Sequence, residues 1–378
     1  METTGKSLYF HIPFCKKKCP YCHFFVVPDD EIKKDRLLNG FYQEWDLLGI
    51  CHTTPICSIY FGGGTPSLFG PLRLGSLLDF IKTRVQLDSE CEITLEINPC
   101  DVDLERMHRF KQAGVTRVSL GVQSFHDSSL ITIGRQHTAS QAVCAIDWIY
   151  KAGFNNISID LMYDRPLQSL QQWQKELAYL DQLPISHVSL YNMTIEQGSA
   201  YKRREKTIRA LMPEDTLSFE LHQAALEALQ KAGFERYEIS AFAKNNQKSV
   251  HNLGYWQGRP FYGLGPSAFS YLEGARMKNV SHFNHYLKSI QEGRLPRDFS
   301  ECLEPQAAQC ELLAIGLRVL EGVQLDHFQK KQGLLSAQTL EAIAKLKAEG
   351  YLVSQDQTVQ LTQKGQLFYD DVGSALVH

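Results

Sequence analysis

The chain has 378 residues, of which 43% are hydrophobic, 11% aromatic and 21% charged, with a formal net charge of −3. This is ordinary globular composition, which excludes extended disorder as a default, and the near-neutral balance gives no general attraction for polyanions. At about 100–200 residues per domain, the length holds two domains, or one large domain with an appendage. The start METTGKSLYF has no basic segment leading into an apolar run, and no apolar run approaches the roughly 20 residues that span a bilayer, so a cytoplasmic protein is expected. In that compartment the ten cysteines stay reduced, and a disulfide framework is not expected.

Short apolar, β-branched runs recur along the chain, each followed by a helix-length segment. The strand candidates are SLYFHI, SIYFGG, EITLEI, RVSLGV, ISIDLM and HVSLYNM. Between them lie helical patterns such as DLERMHRFKQAG and TASQAVCAIDWIYKAG, several closed by the Ala-Gly of a helix C-cap. Strand–helix alternation with runs apolar nearly throughout predicts a parallel sheet buried on both faces. Six such units fit a partial barrel, and an open doubly wound sheet fits the same periodicity. PEDTLSFELHQAALEALQKAG then reads as an amphipathic helix and YEISAFA as a seventh strand. From NNQKSVHNLGYW to PSAFSY the alternation stops, and glycines, asparagines and aromatics suggest a long functional loop or cover. Beyond residue 301 two helices, a hairpin and a last helix predict a small helical, winged-helix-like C-terminal domain. The division expected is 1–240 for the barrel, 241–300 for a connecting segment and 301–378 for the C-terminal domain. SAQTLEAIAKLKAEG, the tail's candidate recognition helix, carries too little net positive charge for phosphate contacts. Nucleic acid is therefore not an expected partner, and this helix is expected to pack over the barrel mouth.

HIPFCKKKCPYC places Cys15, Cys19 and Cys22 within eight positions, while the other seven cysteines are scattered and read as small, mostly buried hydrophobes. Lys16, Lys17 and Lys18 make the thiol loop polar and basic. A structural zinc site needs four ligands; His23 adjoins Cys22 too closely for the same ion, although Cys51 or Cys57 is available from elsewhere. A [4Fe–4S] cluster on three thiols leaves one iron open for a ligand. Spacing alone leaves iron–sulfur, zinc and no metal open. FGGGTPS, at 61–67, directly follows a strand; its glycines permit close backbone approach, and the run matches neither a Walker A nor a GxGxxG pattern.

Together HIPFCKKKCPYC and YFGGGTPS resemble the radical S-adenosylmethionine (SAM) superfamily, and more closely the branch holding oxygen-independent coproporphyrinogen III oxidase and the HemW-like heme chaperones. The resemblance continues through EINP, SLGVQSF, GRQHT, DLMYDRPLQ and HNLGYW to the tail, covering essentially the whole chain in order. It implies a partial (β/α)6 barrel with functional groups at the C-terminal ends of the strands. It also implies a [4Fe–4S] cluster on Cys15, Cys19 and Cys22 whose open iron chelates SAM, one electron breaking the sulfonium C–S bond to give methionine and a 5′-deoxyadenosyl radical. Tyr9, Tyr21, Gly63, Gly64, Thr65, Glu96, Gln123, Arg135 and Asp160 match SAM-contacting positions of the family.

Two features separate the relatives. Coproporphyrinogen oxidases carry a fourth cysteine two residues after the third; here that position is Phe24, as in HemW-like proteins. HNLGYW matches the HNxxYW motif implicated in heme binding, giving His251, Asn252, Tyr255 and Trp256 as heme-contacting candidates. The resemblance therefore implies a heme chaperone that binds heme and transfers it to acceptor hemoproteins, membrane-bound respiratory proteins among them. A one-electron donor such as a flavodoxin or ferredoxin would serve the cluster. The alternative is the oxidase itself, which decarboxylates two propionates in heme biosynthesis. One departure is local: Asp164, Arg165 and Leu167 stand where the family has Gly, Leu and Gly, so the loop beside the site is expected to be shaped differently.

Overall fold

The computed structural model describes residues 5–51 and 55–377. Residues 1–4, on which the reading of the N-terminus partly rests, lie outside the described residues. The six expected strands form as β1 (Lys6–Ile12), β2 (Pro55–Gly63), β3 (Gln86–Ile97), β4 (Arg117–Gln123), β5 (Asn156–Tyr163) and β6 (His187–Asn192). They pair in parallel in chain order. Helices α1 (Glu31–Leu48), α2 (Pro71–Lys82), α3 (Leu104–Ala113), α4 (Ala139–Lys151) and α5 (Leu170–Leu177) make the crossovers. Local chemistry sets their ends: the Asp30 carboxylate accepts from the Lys33 N–H, Thr138 and Gln141 form a capping box, and Gly49 closes α1 at φ 63°. Each such cap is worth about 1 kcal/mol. The core lies between strands and helices, with Leu8, Phe10, Phe61, Leu95, Leu120 and Ile159 fully buried.

The sheet extends well beyond the six units. After α6 (Asp215–Lys231), the stretch expected as one seventh strand is two short antiparallel strands, β7 (Glu235–Glu238) and β8 (Ala241–Ala243), with β8 against β6. The chain reverses there because the Glu238 carboxylate takes the Ser240 N–H at 3.0 Å. Helix α7 (Val250–Trp256) follows, then β9 (Phe261–Leu264), which pairs in parallel with the opposite edge, β1. Strands β10 (Phe269–Leu272), β11 (Ala275–Asn279) and β12 (Arg297–Cys302) continue antiparallel, giving twelve strands in this sheet among the described residues. The expectation of a long loop or cover is therefore corrected. The strands are too short and too glycine-punctuated to show a period. Gly263 shows why: a Cβ there would lie 1.8 Å from the Phe269 carbonyl oxygen.

The C-terminal part has its own core of Leu313, Leu317, Ile343, Leu346, Leu352, Val359 and Val372. It comprises α8 (Pro305–Gly316), β13 (Val323–Gln324), α9 (Leu325–Gln332), α10 (Ala337–Ala348), the hairpin β14 (Leu352–Gln355) and β15 (Thr358–Leu361), and two final helices, α11 (Gln363–Leu367) and α12 (Tyr369–Leu376). Helix α10 packs within this unit, against α12 and β14, and not over the barrel mouth as expected. Its buried Ile343 and Leu346 supply the reason. The helix of this unit that lines a cavity is α8, through Glu311, Leu312 and Ile315. The scattered cysteines also differ from expectation: only Cys57 and Cys310 are buried, whereas Cys51, Cys100, Cys144 and Cys302 are exposed. No helix among the described residues is long and apolar enough to cross a membrane.

The divergent loop after β5 keeps the backbone that glycines would give. Asp164 and Leu167 hold φ of 58° and 62°, the left-handed region that costs a non-glycine residue about 1–2 kcal/mol. Asp164 turns away from the barrel mouth and accepts the Ser218 hydroxyl at 2.5 Å. Arg165, fully buried, makes a forked pair with Glu176 at 2.6 and 3.2 Å, and the same carboxylate accepts from the Ser124 hydroxyl and the Phe125 N–H. Arg165→Ala strands that carboxylate and is expected to cost about 3–5 kcal/mol in urea denaturation, whereas Leu167→Gly, which relieves only backbone strain, stays within about 1 kcal/mol of the parent.

Candidate functional site

The thiol loop leaves β1 and returns to it. Phe14–Cys15 pairs with Val27–Pro28, the Val27 N–H reaches the Pro13 carbonyl at 2.8 Å, and a tight turn brings the Cys22 N–H to the Cys19 carbonyl at 3.1 Å. The end of β2 clasps this loop: the Gly64 N–H donates to the Ile12 carbonyl at 2.9 Å and the Thr65 N–H to the Phe14 carbonyl at 2.7 Å. A Cβ at Gly64 would lie 2.6 Å from the Phe14 oxygen, so only glycine allows this approach. The Thr65 hydroxyl then lies 3.5 Å from the Cys15 sulfur. The glycine run thus spends its N–H groups inside the protein, the Gly63 N–H on Glu96 at 3.2 Å, and contributes chiefly the absence of side chains.

Cys15, Cys19 and Cys22 line one cavity of about 380 Å³ at the C-terminal ends of the strands. The same cavity is lined by Tyr21, Gly63, Gly64, Thr65, Glu96, Gln123, Arg135 and Asp160, so the structure brings together eight of the nine SAM-position residues. Tyr9 is the ninth; it lies deeper, its hydroxyl 3.1 Å from His11 Nδ1, and borders a different cavity. Asn98, Ser119, Gly121, Met162, Tyr191, Asn192 and Glu196 also line the site and were not singled out from the sequence. Asn98 stood in the EINP motif, and its amide donates to the Thr65 hydroxyl at 2.8 Å while its carbonyl takes Arg135 Nη2 at 2.6 Å. Arg135 also reaches the Gly121 carbonyl at 2.6 Å and the Cys19 sulfur at 3.7 Å, and its Nε is buried with no partner.

The residues fit a cluster and a polar ligand. The thiols ring a cavity, and among the described residues no three Cys, His, Asp or Glu groups converge on one ion position. A multi-iron cluster, which each thiolate meets at a different iron, suits that arrangement. Burial pushes the Cys15 thiol up to about 11, the Thr65 contact opposing it, so iron binding there must displace a proton. Two half-buried carboxylates line the same cavity. Glu96 accepts from the Tyr60 hydroxyl at 2.8 Å, and Asp160 from the Ser119 hydroxyl at 3.3 Å. Burial raises Glu96 to about 7, against those hydrogen bonds and with help from Asp160; burial raises Asp160 to about 6. Both have charge and acceptor capacity in reserve for a ligand bearing a cation and hydroxyls.

A second cavity, of about 870 Å³, adjoins the first, and Lys18, His23, Phe24 and Val26 line both. Its walls are aromatic: Phe25, Tyr255, Trp256, Phe261, Phe269 and Tyr271, with Lys18, Arg259, Arg276 and Lys278 supplying positive charge. HNLGYW forms α7, and the structure divides the motif. Tyr255 and Trp256 line this cavity; His251 and Asn252 do not. His251 is buried, its Nδ1 2.9 Å from the Ser58 hydroxyl and its Nε2 2.8 Å from the Tyr255 hydroxyl, the i,i+4 neighbour on the same helix face. Burial, then Arg259 and Arg117, lower its pKa to about 3, so it is a neutral, fully bonded imidazole. Glu92 holds the start of α7 by accepting the N–H groups of Val250 and His251, each at 3.0 Å.

Two family models match the chain: the radical SAM superfamily over residues 9–180 and the HemN C-terminal domain over residues 303–368. The heme chaperone HemW of Lactococcus lactis subsp. lactis is 32% identical over 95% of this chain and 94% of its own length. That of Bacillus subtilis is 32% identical over 98% and 99%. Among solved structures, coproporphyrinogen III oxidase (HemN) of Escherichia coli superposes with a TM-score of 0.86 at 20% identity, covering 99% of this chain and 91% of that one, a likeness of fold.

The carboxylate pair makes ligand binding pH-dependent. A ligand that brings a cation and hydroxyls to Glu96 and Asp160 favours their ionised forms, so its binding below their pKa values must expel protons. For cluster-loaded protein, SAM affinity measured by equilibrium dialysis is expected to rise about tenfold or more from pH 5.5 to 7.5 and to level off above. Glu96→Gln is expected to flatten that rise.

Proposed function

This chain belongs to the radical SAM superfamily and, within it, to the HemW family, and from that premise we propose that it is a heme chaperone, binding heme and passing it to acceptor hemoproteins. Cys15, Cys19 and Cys22 would hold the [4Fe–4S] cluster, with SAM against Glu96, Gln123, Arg135 and Asp160. When bound, the cluster supplies single electrons. The residues' own work is separable from that chemistry: Asn98 and Arg135 orient the thiol loop, the half-buried carboxylates of Glu96 and Asp160 receive the ligand's polar groups, and Phe24 closes the side facing the second cavity.

The observation that carries the reading is the pairing of the two cavities across Phe24. This side chain is 51% exposed and lines both spaces. It stands where the oxidase carries its fourth cysteine, and a phenyl ring neither ligates metal nor moves a proton. Beyond it, a cavity within the roughly 300–1,000 Å³ of small-molecule sites offers flat aromatic faces and cations. A planar tetrapyrrole with two propionates has that shape and charge. The acceptors are hemoproteins, with membrane-bound respiratory proteins as the class expected, and the site of action is the cytoplasm.

The electron donor is a one-electron carrier such as a flavodoxin or ferredoxin. Cys19 lines a further groove on the outer face of the thiol loop, together with Lys17, Lys18, Ile131 and Arg203. Ile131 is 76% exposed, and an apolar centre with a basic rim suits brief docking of an acidic protein.

Two measurements check this reading. Anaerobically reconstituted protein, given reductant, SAM and coproporphyrinogen III, is expected to yield no decarboxylated product by mass, and to bind heme three- to tenfold more weakly as Trp256→Ala with its cluster content unchanged. Turnover to protoporphyrinogen would instead establish the oxidase. At low salt, the double change Lys17→Glu and Arg203→Glu is expected to slow cluster reduction by flavodoxin about tenfold, while reduction by dithionite is unaffected.

A further inference from the structure

A heme held in the large cavity needs an iron ligand, and the familiar donors are imidazole, thiolate, thioether and phenolate. Among the described residues the cavity lining includes no cysteine or methionine; its candidates are His11, His23, Tyr9, Tyr255 and Tyr271. His11 spends both ring nitrogens, Nδ1 at 3.1 Å from the Tyr9 hydroxyl and Nε2 at 3.1 Å from the Phe25 carbonyl. That contact also engages Tyr9. The Tyr255 hydroxyl is engaged by His251, and His251 itself stands behind Tyr255 with its second nitrogen on Ser58. Tyr271 is a neutral phenol: burial, then Glu311, raises its pKa, which opposes the phenolate that iron requires.

His23 differs from all of these. Its ring makes no hydrogen bond or ion pair among the described residues, and its ring contact is with Phe24, centroid to centroid 4.7 Å. It is exposed, and it lines the large cavity and the thiol cavity alike. The geometry points to His23 as the axial ligand of the heme iron, an assignment that rests on the heme-chaperone reading above. His23 would hold the iron at the wall shared with the thiol cavity, Trp256 would offer an aromatic face to the macrocycle, and Lys278, whose Nζ lies 5.3 Å over the Phe269 ring and which makes no ion pair among the described residues, would be available to a propionate. Tyr255 and Trp256 then shape the pocket while His251 positions Tyr255 from behind, which gives HNLGYW a structural part in heme binding without making its histidine the ligand.

The test titrates ferric heme into the full-length protein and reads the iron ligand by electron paramagnetic resonance and resonance Raman spectroscopy, alongside affinity. His23→Ala is expected to remove the histidine–iron signature and to weaken binding at least tenfold, and added imidazole is expected to restore the signature, which a merely structural role would not allow. His251→Ala and Tyr271→Phe are expected to keep the parent ligand signature. Iron and sulfide content measured on each variant keeps loss of the neighbouring cluster from imitating loss of the ligand. An unchanged signature in His23→Ala, or its loss in His251→Ala, overturns the assignment while leaving the heme reading intact. Failure of the unaltered protein to bind heme overturns both.

Discussion

Two backbone hydrogen bonds, from Gly64 to Ile12 and from Thr65 to Phe14, join the end of β2 to the start of the thiol loop. They need the chains closer than any side chain permits, since a Cβ on Gly64 would meet the Phe14 carbonyl oxygen at 2.6 Å. The rest of the site is built on this contact. It sets Thr65 beside Cys15, Thr65 receives Asn98, Asn98 receives Arg135, and Arg135 reaches Cys19. A loop whose backbone could wander would have to spend conformational entropy, about 1–2 kcal/mol per residue, each time it gathered its thiols. Here that cost is met on folding.

The polar interior beneath the site follows the same logic. His251, Ser58, Ser7, Tyr255 and Glu92 form a buried chain of hydrogen bonds that fastens α7 to β1, β2 and β3. A buried polar group without a partner costs about 1–3 kcal/mol, so this network resists rearrangement. Resistance at the base of α7 is what holds Tyr255 and Trp256 at the cavity wall. The motif's chemistry-bearing histidine thus acts as a support, and the exposed imidazole at the cavity rim belongs to the thiol loop.

The loop after β5 illustrates compensation. Its family glycines are replaced by Asp164 and Leu167, yet the left-handed backbone is retained, and Arg165 is absorbed by a buried pair with Glu176. None of these three side chains lines either cavity. The departure therefore changes what lies behind the site while the carboxylate of Asp160, on the adjoining strand, keeps its place.

The sequence by itself determined the six βα units, because strands buried on both faces and helices closed by Ala-Gly have a periodicity and punctuation that survive in one dimension. It marked the residues that meet in the thiol cavity too: Cys15, Cys19 and Cys22 are close in the chain, and the strand-end positions of Glu96, Gln123 and Asp160 follow from strand order. Tertiary structure decided the rest. Strands β9 to β12 were illegible because four- to six-residue strands punctuated by glycine carry no period, and the pairing of β9 with β1, on which the other three build, joins residues more than 250 positions apart. The roles within HNLGYW were undecidable for a related reason. Four chemistry-bearing residues within six positions read alike in sequence, and only burial, which depends on what packs against each face of α7, makes His251 a bonded support and Trp256 a wall.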